Sequence, residues 1–545
     1  MKPIRLLLVP ALALGLAPAA ALPARAQTAP ADATSVGEPA QNWWQLDPQK
    51  DHVWGIGLDR AYAELLNGRQ PKRTVVVAII DSGVDIAHPD LAANVWTNPR
   101  EVAGNGVDDD GNGYVDDVHG WDFIGGKGGD VWHETYESVR IYARLRPRFE
   151  VPSPDTSTAQ AKADYRLYQK VKHSLQHDRA EKAQQLAEVK NYVAGMRRIT
   201  DVLRTALGGD SVTAEKVQAL RSVNTSVMQA RDVYLQLVAG GITPRALEED
   251  QQDLENSLQY GLNPDYNPRP IVGDDTTNVR ERVYGNNDVT GPDPLHGTHV
   301  AGIIGAVRNN GIGLNGVAPA VKLMIVRAVP DGDERDKDIA NAIRYAADNG
   351  ANVINMSFGK AYSPNKDVVD DAVRYAEGKG VLMVHAAGNE GADVDRSPSF
   401  PTRTFLSGGA ARSWIEVGAS GPGPVDSLAA AFSNYSHTGV DVFAPGVSIW
   451  STVPHNEYER LQGTSMASPV VAGVAALLMA YYPTLTAADV KDILMQSATR
   501  LPEQQVAVPG DNAGRAPFSQ LSISGGIVNV YNAVRLAEQR TGGAH

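Results

Sequence analysis

VVVAIIDSGVD, residues 75–85, joins six consecutive apolar residues to an acid. An unbroken, β-branched run suits a strand buried on both faces of a parallel sheet, where neither side of the pleat meets water. The same pattern returns after Pro292. Val321 to Val326, Val353 to Met356 and Val381 to Val384 read as strands. Between them, Lys337 to Asn349 and Asp367 to Glu377 carry the apolar spacing of amphipathic helices. Gly350 closes the first, and Gly378 and Gly380 follow the second. Strand alternating with helix means βαβ units. The expected fold class is therefore α/β: a doubly wound, mostly parallel sheet with helices on both faces. Such sheets hold ligands at the carboxyl ends of their strands. Asp81 ends one run, and Ala387-Gly388-Asn389 follows another.

The whole chain has 545 residues, of which 43% are hydrophobic and 21% charged, an ordinary globular composition. Its net charge of -13 argues against nucleic acid or an anionic membrane as main partner, since both select clustered Lys and Arg. Residues 1–26 have the layout of an export signal. Lys2 and Arg5 precede the apolar Leu6 to Leu16, and Ala24-Arg25-Ala26 is a small-residue cleavage site. Pro10 interrupts the apolar run, which is short for a bilayer span. No membrane anchor is expected after cleavage, and the expected location is secreted or periplasmic. Residues 27–41, rich in Ala, Pro, Thr and Asp, read as a flexible leader. There is no cysteine, so neither a thiol nucleophile nor a thiolate metal site is available. An exported protein without disulfides often relies on bound metal instead.

From residue 42 to 545 the composition reads as one globular domain, interrupted by residues 130–284. That stretch is rich in Gln, Ala, Lys, Arg, Asp and Glu. Val171 and Leu175 stand at helical spacing, as do Leu186, Val189, Val193, Met196, Ile199 and Leu203, with Gly208-Gly209 ending the helix. Thr213 reads as the cap of a second helix through Val238. Thr243-Pro244 opens a third, to about Tyr260. The expectation is an α-helical insertion, either a structural elaboration or an element that binds a protein partner or gates substrate.

Three short segments carry reactive groups: Asp81-Ser82-Gly83-Val84-Asp85, His296-Gly297-Thr298-His299, and Gly463-Thr464-Ser465-Met466-Ala467-Ser468-Pro469. Alone, each has a plain structural explanation. An acid ending a parallel strand is common. His296 and His299 have metal-ligand spacing but lack the Glu of a zinc-protease motif. Ser465 opens an apolar helix and can be its cap. Together they supply what a nucleophilic serine needs, a base and a carboxylate to orient it, in the order Asp, His, Ser. Asn389 adds an amide donor for an oxyanion.

The blocks AIIDSGVDIAHPDL, HGTHVAGIIGA, INMSFG, HAAGNEG and GTSMASPVVAGVAALL resemble the signature blocks of the subtilase family, in that family's order. The resemblance implies a subtilisin-like fold and serine endopeptidase activity, with Asp81, His296 and Ser465 as triad and Asn389 as oxyanion donor. Ser357, Phe358 and Gly359 resemble the segment that pairs with an extended protein or peptide substrate. The His-to-Ser interval is 169 residues, against about 157 in a subtilisin. The Asp-to-His interval is 215, against about 32, and the excess matches the insertion. The few tens of residues before Val75 leave little room for a folded inhibitory prodomain.

The acidic loop DDDGNGYVDD, residues 108–117, resembles a calcium loop of the EF-hand or dockerin kind. Asp108, Asp110, Asn112, the Tyr114 carbonyl and Asp116 fall at positions 1, 3, 5, 7 and 9, with Gly113 at the turn. His119 stands where the last ligand should be, with Asp117 and Asp122 as substitutes. Calcium is the expected cofactor.

Overall fold

Val75–Asp81 (β1) is a strand whose residues are all buried except the half-buried Val76. The computed structural model describes residues 39–510 and 514–542. The export segment and nearly all of the leader lie outside the described residues. Residues 41–545 make up one compact unit. Its sheet contains β1, β2 (Gly120–Asp122), β3 (Val321–Arg327), β4 (Val353–Met356), β5 (Leu382–Ala386), β6 (Trp414–Ser420) and β7 (Val442–Pro445), all parallel. The short β8 (Thr499–Arg500) and β9 (Gly526–Ile527) pair antiparallel at one edge. The order β8-β9-β7-β6-β5-β4-β1-β3-β2 puts β1 between β3 and β4, where the winding reverses. That is the crevice in which open α/β sheets bind ligands.

Between β2 and β3 the chain leaves the sheet. Its entry and exit are locked together by Asp122 and Asn286, each donating its N–H to the other's carbonyl, at 2.8 and 3.0 Å. Beyond lie α1 (Glu137–Phe149), α2 (Ala159–Ala206), α3 (Thr225–Ala239) and α4 (Pro244–Asn256). The long α2 is opened by Thr158, whose side chain accepts the Ala161 N–H. Two features differ from the sequence expectation. The helix expected from Thr213 to Val238 is broken into Ala214–Ala219 and α3, because Asn224 caps a new start by accepting the Ser226 N–H. Helix α1 was not anticipated: four arginines and Pro147 dilute its apolar stripe. Ile141, Leu145 and Phe149 of α1 pack on Tyr168 and Val171 of α2.

The frame adds α5 (Leu295–Gly305), α6 (Asp336–Asp348), α7 (Lys366–Gly378) and α8 (Thr464–Tyr481). Alternate residues of β1 feed opposite cores. Val77 and Ile79 join α5 and α8, while Ala78 and Ile80 join α6 and α7. The apolar α8 has the length and composition of a membrane span, but 94% of it is buried inside the protein, so it is a core helix. Trp43 and Trp44 are buried in the α5–α8 core.

Arg327, at the end of β3, is 2% exposed. It donates to the Ser82 carbonyl at 2.8 Å, to Asp122 Oδ2 at 2.7 Å and to the Val131 carbonyl. One guanidinium thus ties the end of β1 to β2 and to the start of the inserted region. Burial pushes the Asp122 carboxyl up to about 7 despite that partner.

Helix α5 approaches β1 backbone to backbone. A Cβ at Gly297 would stand 2.1 Å from the Gly83 carbonyl and 3.3 Å from Asp81 Cβ. Gly297→Ala is therefore expected to destabilise the protein by about 1–3 kcal/mol, the usual cost of overpacking. Urea denaturation measures this, and an unchanged midpoint would contradict the contact.

Candidate active site

Asp81 is where β1 leaves the apolar layer, and His296 lies in the first turn of α5. The His296 Nδ1–H donates to Asp81 Oδ1 at 2.7 Å, and the Ser82 N–H donates to the same oxygen at 2.8 Å. The two groups differ in access: the carboxylate side chain is 2% exposed and the imidazole 38%. Burial opposes a charge on His296, but the Asp81 charge and hydrogen bond outweigh it and raise the imidazole above the usual histidine range. His299, one turn on, plays another part. It is fully buried, and its Nε2–H is shared by the carbonyls of Ile449 (3.0 Å) and Glu459 (3.2 Å). Burial lowers it to about 3, so it stays neutral. With His296 turned to Asp81, the two histidines do not converge on a metal.

Ser465 stands at the start of α8, half-buried. Its hydroxyl donates to the Ser357 carbonyl at 3.1 Å, and the Ser357 hydroxyl donates back to the Ser465 carbonyl at 2.9 Å. Behind them, Asn355 Nδ2 donates to Ser357 Oγ at 3.0 Å and Ser468 Oγ donates to Asn355 Oδ1 at 2.8 Å. This brace was not anticipated. Its signal was Asn355 itself, a polar residue in a strand buried on both faces, which needs internal partners. Asn389 is held by its oxygen, which accepts the Thr464 N–H at 2.8 Å and the Thr464 hydroxyl at 3.0 Å. Its amide nitrogen is left as a donor beside Gly463 and Ser465. The four groups singled out in the sequence thus meet at one end of the sheet as two linked pairs, Asp81 with His296 and Asn389 with the Thr464–Ser465 turn. The Ser465 hydroxyl rests on the Ser357 carbonyl, not on His296.

Ser357, Phe358 and Gly359 continue β4 past the sheet. Phe358 and Gly359 make no backbone hydrogen bond among the described residues, whereas Lys360 exchanges two with Phe400, at 3.1 and 2.8 Å.

The acidic loop is arranged differently from the spacing argument. Asp108 accepts the N–H groups of Asn112 and Gly113, and Asn112 Oδ1 accepts that of Tyr114. Asp116 has φ 55° and faces away, its carboxylate accepting the N–H groups of Gly104, Asn105 and Gly106. Asp122 is committed to Arg327. The carboxylates that converge are Glu101, Asp110 and Asp117, with one oxygen from each within 4.8 Å of the others. Asn98 and Asn112 donate to Asp117, as does Tyr345 of α6 at 2.6 Å. Burial, with Asp110 adding, raises Asp117 to about 6. Glu101 Oε1 accepts the N–H groups of Asp109 and Asp110, while its buried Oε2 has no partner.

Comparison with known proteins gives a consistent result. The model described as Subtilase family matches residues 72–514. A thermophilic serine proteinase of a Bacillus species (strain AK1) is 42% identical over 230 residues, 41% of this chain and 50% of its own. Subtilisin BL of Lederbergia lenta is 40% identical over 207 residues, 38% of this chain and 71% of its own. Subtilisin DY of Bacillus licheniformis is 40% identical over 210 residues, again 38% and 71%. The match thus spans half the length of the first of these relatives.

The electrostatics of His296 can be read directly. By NMR titration its imidazole is expected to titrate above about 6.5, and Asp81→Asn is expected to lower that value, because burial then acts unopposed. A value unchanged by the substitution would remove Asp81 as the cause.

Proposed function

The chain belongs to the subtilase family, and we propose that it is an exported serine endopeptidase acting through Ser465, His296, Asp81 and Asn389. The observation that carries this reading is the 2.7 Å hydrogen bond from His296 Nδ1 to Asp81. It fixes the tautomer in which Nε2 is the free base. Ser465 swings from the Ser357 carbonyl, gives its proton to His296 Nε2 and attacks the peptide carbonyl. Asp81 stabilises the imidazolium that forms. The oxyanion is held by Asn389 Nδ2 and the Ser465 N–H at the positive end of α8. The proton on His296 then passes to the leaving amine. Water repeats the sequence to release the acyl group. The unpaired backbone of Phe358 and Gly359 supplies a rail on which an extended peptide adds as a strand.

The acidic loop is assigned to calcium, with Glu101, Asp110 and Asp117 as carboxylate ligands. The set fits on two counts: all donors are oxygens, as a hard cation requires, and Glu101 Oε2 is a buried acceptor lacking a donor. A bound cation would add to Arg100, which reaches Asp110 at 3.0 Å, in offsetting the charge of the three carboxylates. The role is structural, since Asp117 ties the loop to Tyr345 of α6. Residues 1–26 are assigned to export into the periplasm or medium.

Ser465→Ala is expected to abolish both casein hydrolysis and fluorophosphonate labelling, and activity surviving it would sink the assignment. Asn389→Ala is expected to lower kcat about 10²–10³-fold with little change in KM, the loss measured for such a donor in a subtilisin itself. The rate is expected to fall as pH drops through the raised His296 value, since only the neutral imidazole accepts the serine proton. Calcium removal with a chelator is expected to lower Tm in the parent protein. In Glu101→Gln that shift should be largely lost, and equal shifts in both proteins would place the cation elsewhere.

A further inference from the structure

Three residues beyond the carbonyl that receives the Ser465 hydroxyl, the substrate rail reaches Lys360, whose side chain is buried. Its backbone is pinned on one side by Phe400. Its ammonium points the other way, to Glu137 Oε2 at 2.9 Å, Asp336 Oδ1 at 2.8 Å and the Glu334 carbonyl at 2.8 Å. Glu137 lies in the first turn of α1, inside the inserted region. The same carboxylate oxygen receives Arg140 at 2.6 Å, and Arg140 also donates to the carbonyls of Asp333 and Glu334 at 2.9 and 3.0 Å. Burial works against the charge on Glu137, but Arg140 and Lys360 outweigh it and hold the carboxyl down at about 2. One of the groups that fasten the far end of the rail therefore belongs to the insertion, beside Asp336, the Glu334 carbonyl and Phe400 of the frame.

The fastening also has an alternative arrangement within reach. Glu334 is 2% exposed, and its Oε1 has no hydrogen-bond partner. Lys360 and Asp333 are its nearest charged neighbours in effect, and burial raises it to about 7. If Glu137 loses its charge, the Lys360 ammonium keeps Asp336 and the Glu334 carbonyl and is drawn toward the Glu334 carboxylate, whose charge already favours it. A buried ammonium with a second place to go moves instead of standing bare. The side chain is buried along its length, so re-seating its ammonium loads the backbone at residue 360, where the rail ends.

We propose that Glu137 is a positioning residue for peptide binding, setting through Lys360 the placement of Ser357–Gly359 against the residues that precede the cleaved bond. This rests on the endopeptidase reading above. Extended chains advance about 3.3 Å per residue, so Lys360 lies about 10 Å along the rail from Ser357. Only a substrate with three or four residues before the cleaved bond reaches that far. The insertion thereby acts on long substrates and leaves short ones alone.

The test uses the full mature chain, its Glu137→Gln and Glu137→Asp variants, and two chromogenic anilide substrates with the same residue at the cut. One carries a single blocked residue before the bond, the other four. Burst titration with a fluorophosphonate counts competent sites in each preparation. Glu137→Gln is expected to raise KM for the long substrate about tenfold, with kcat held within about twofold and the short substrate unaffected. Glu137→Asp, which keeps the charge, should restore part of the difference; should Glu137→Gln not fold, the same comparison is made on it. An equal KM change for both lengths, or none for either, overturns the proposal while leaving the endopeptidase reading intact. A parent protein that neither labels nor cleaves overturns both.

Discussion

A strand with sheet on both sides and helices above and below admits a polar side chain only where an internal partner meets it, and polar groups that stay free must wait until it runs out of neighbours. That constraint governs this molecule. β1 is apolar from Val75 to Ile80, and its first ionisable group, Asp81, appears where the strand ends. β4 and β5 behave alike, delivering Ser357 and Asn389 just past their carboxyl ends. Polar chemistry is thus expelled to one rim, and the reversal of winding at β1 opens a crevice there. The helices finish the arrangement from the same side. α5 and α8 begin at that rim, each presenting a reactive residue in its first turn.

The paired polar groups inside the sheet are instructive: His385 of β5 meets Glu416 of β6 at 2.8 Å, and Asn355 is another. Asn355 lies inside β4 and is fully buried, and its side-chain hydrogen bonds run toward Ser465 through Ser357 and Ser468. A buried amide left unsatisfied costs more than its bonds return, so this set is either complete or destabilising. Here it is complete, and it fixes the turn that carries the nucleophile. Arg327 does for the opposite side of the crevice what Asn355 does for this one. In both cases a polar group pays its desolvation cost by joining segments far apart in sequence.

The frame was legible because burial on two faces leaves little choice of residue, and strands of that kind announce themselves as runs. The Asp81–His296 pair could be anticipated for the related reason that polar groups follow such runs. What escaped was whatever depends on contacts and not on period. α1 hid because its apolar residues share a short helix with four arginines and Pro147. The break before α3 hid because Asn224 suits a helix interior poorly but a cap well, a distinction of a few tenths to about 2 kcal/mol. In the acidic loop, counting positions selected Asp116, whose left-handed backbone turns it toward Gly104–Gly106. Glu101 could not be counted at all, since it precedes the loop and joins it only in three dimensions.

The clasp formed by Asp122 and Asn286 has a consequence for descent. With both ends of the inserted stretch held there, the closure entropy of whatever lies between grows only with the logarithm of its length, about 0.6 kcal/mol for each doubling. Helices can be gained or lost beyond that neck without shifting the register between β1 and β3. Since the stretch also reaches back to Lys360 through Glu137, a change beyond the neck can still be felt at the end of β4 while the sheet keeps its register.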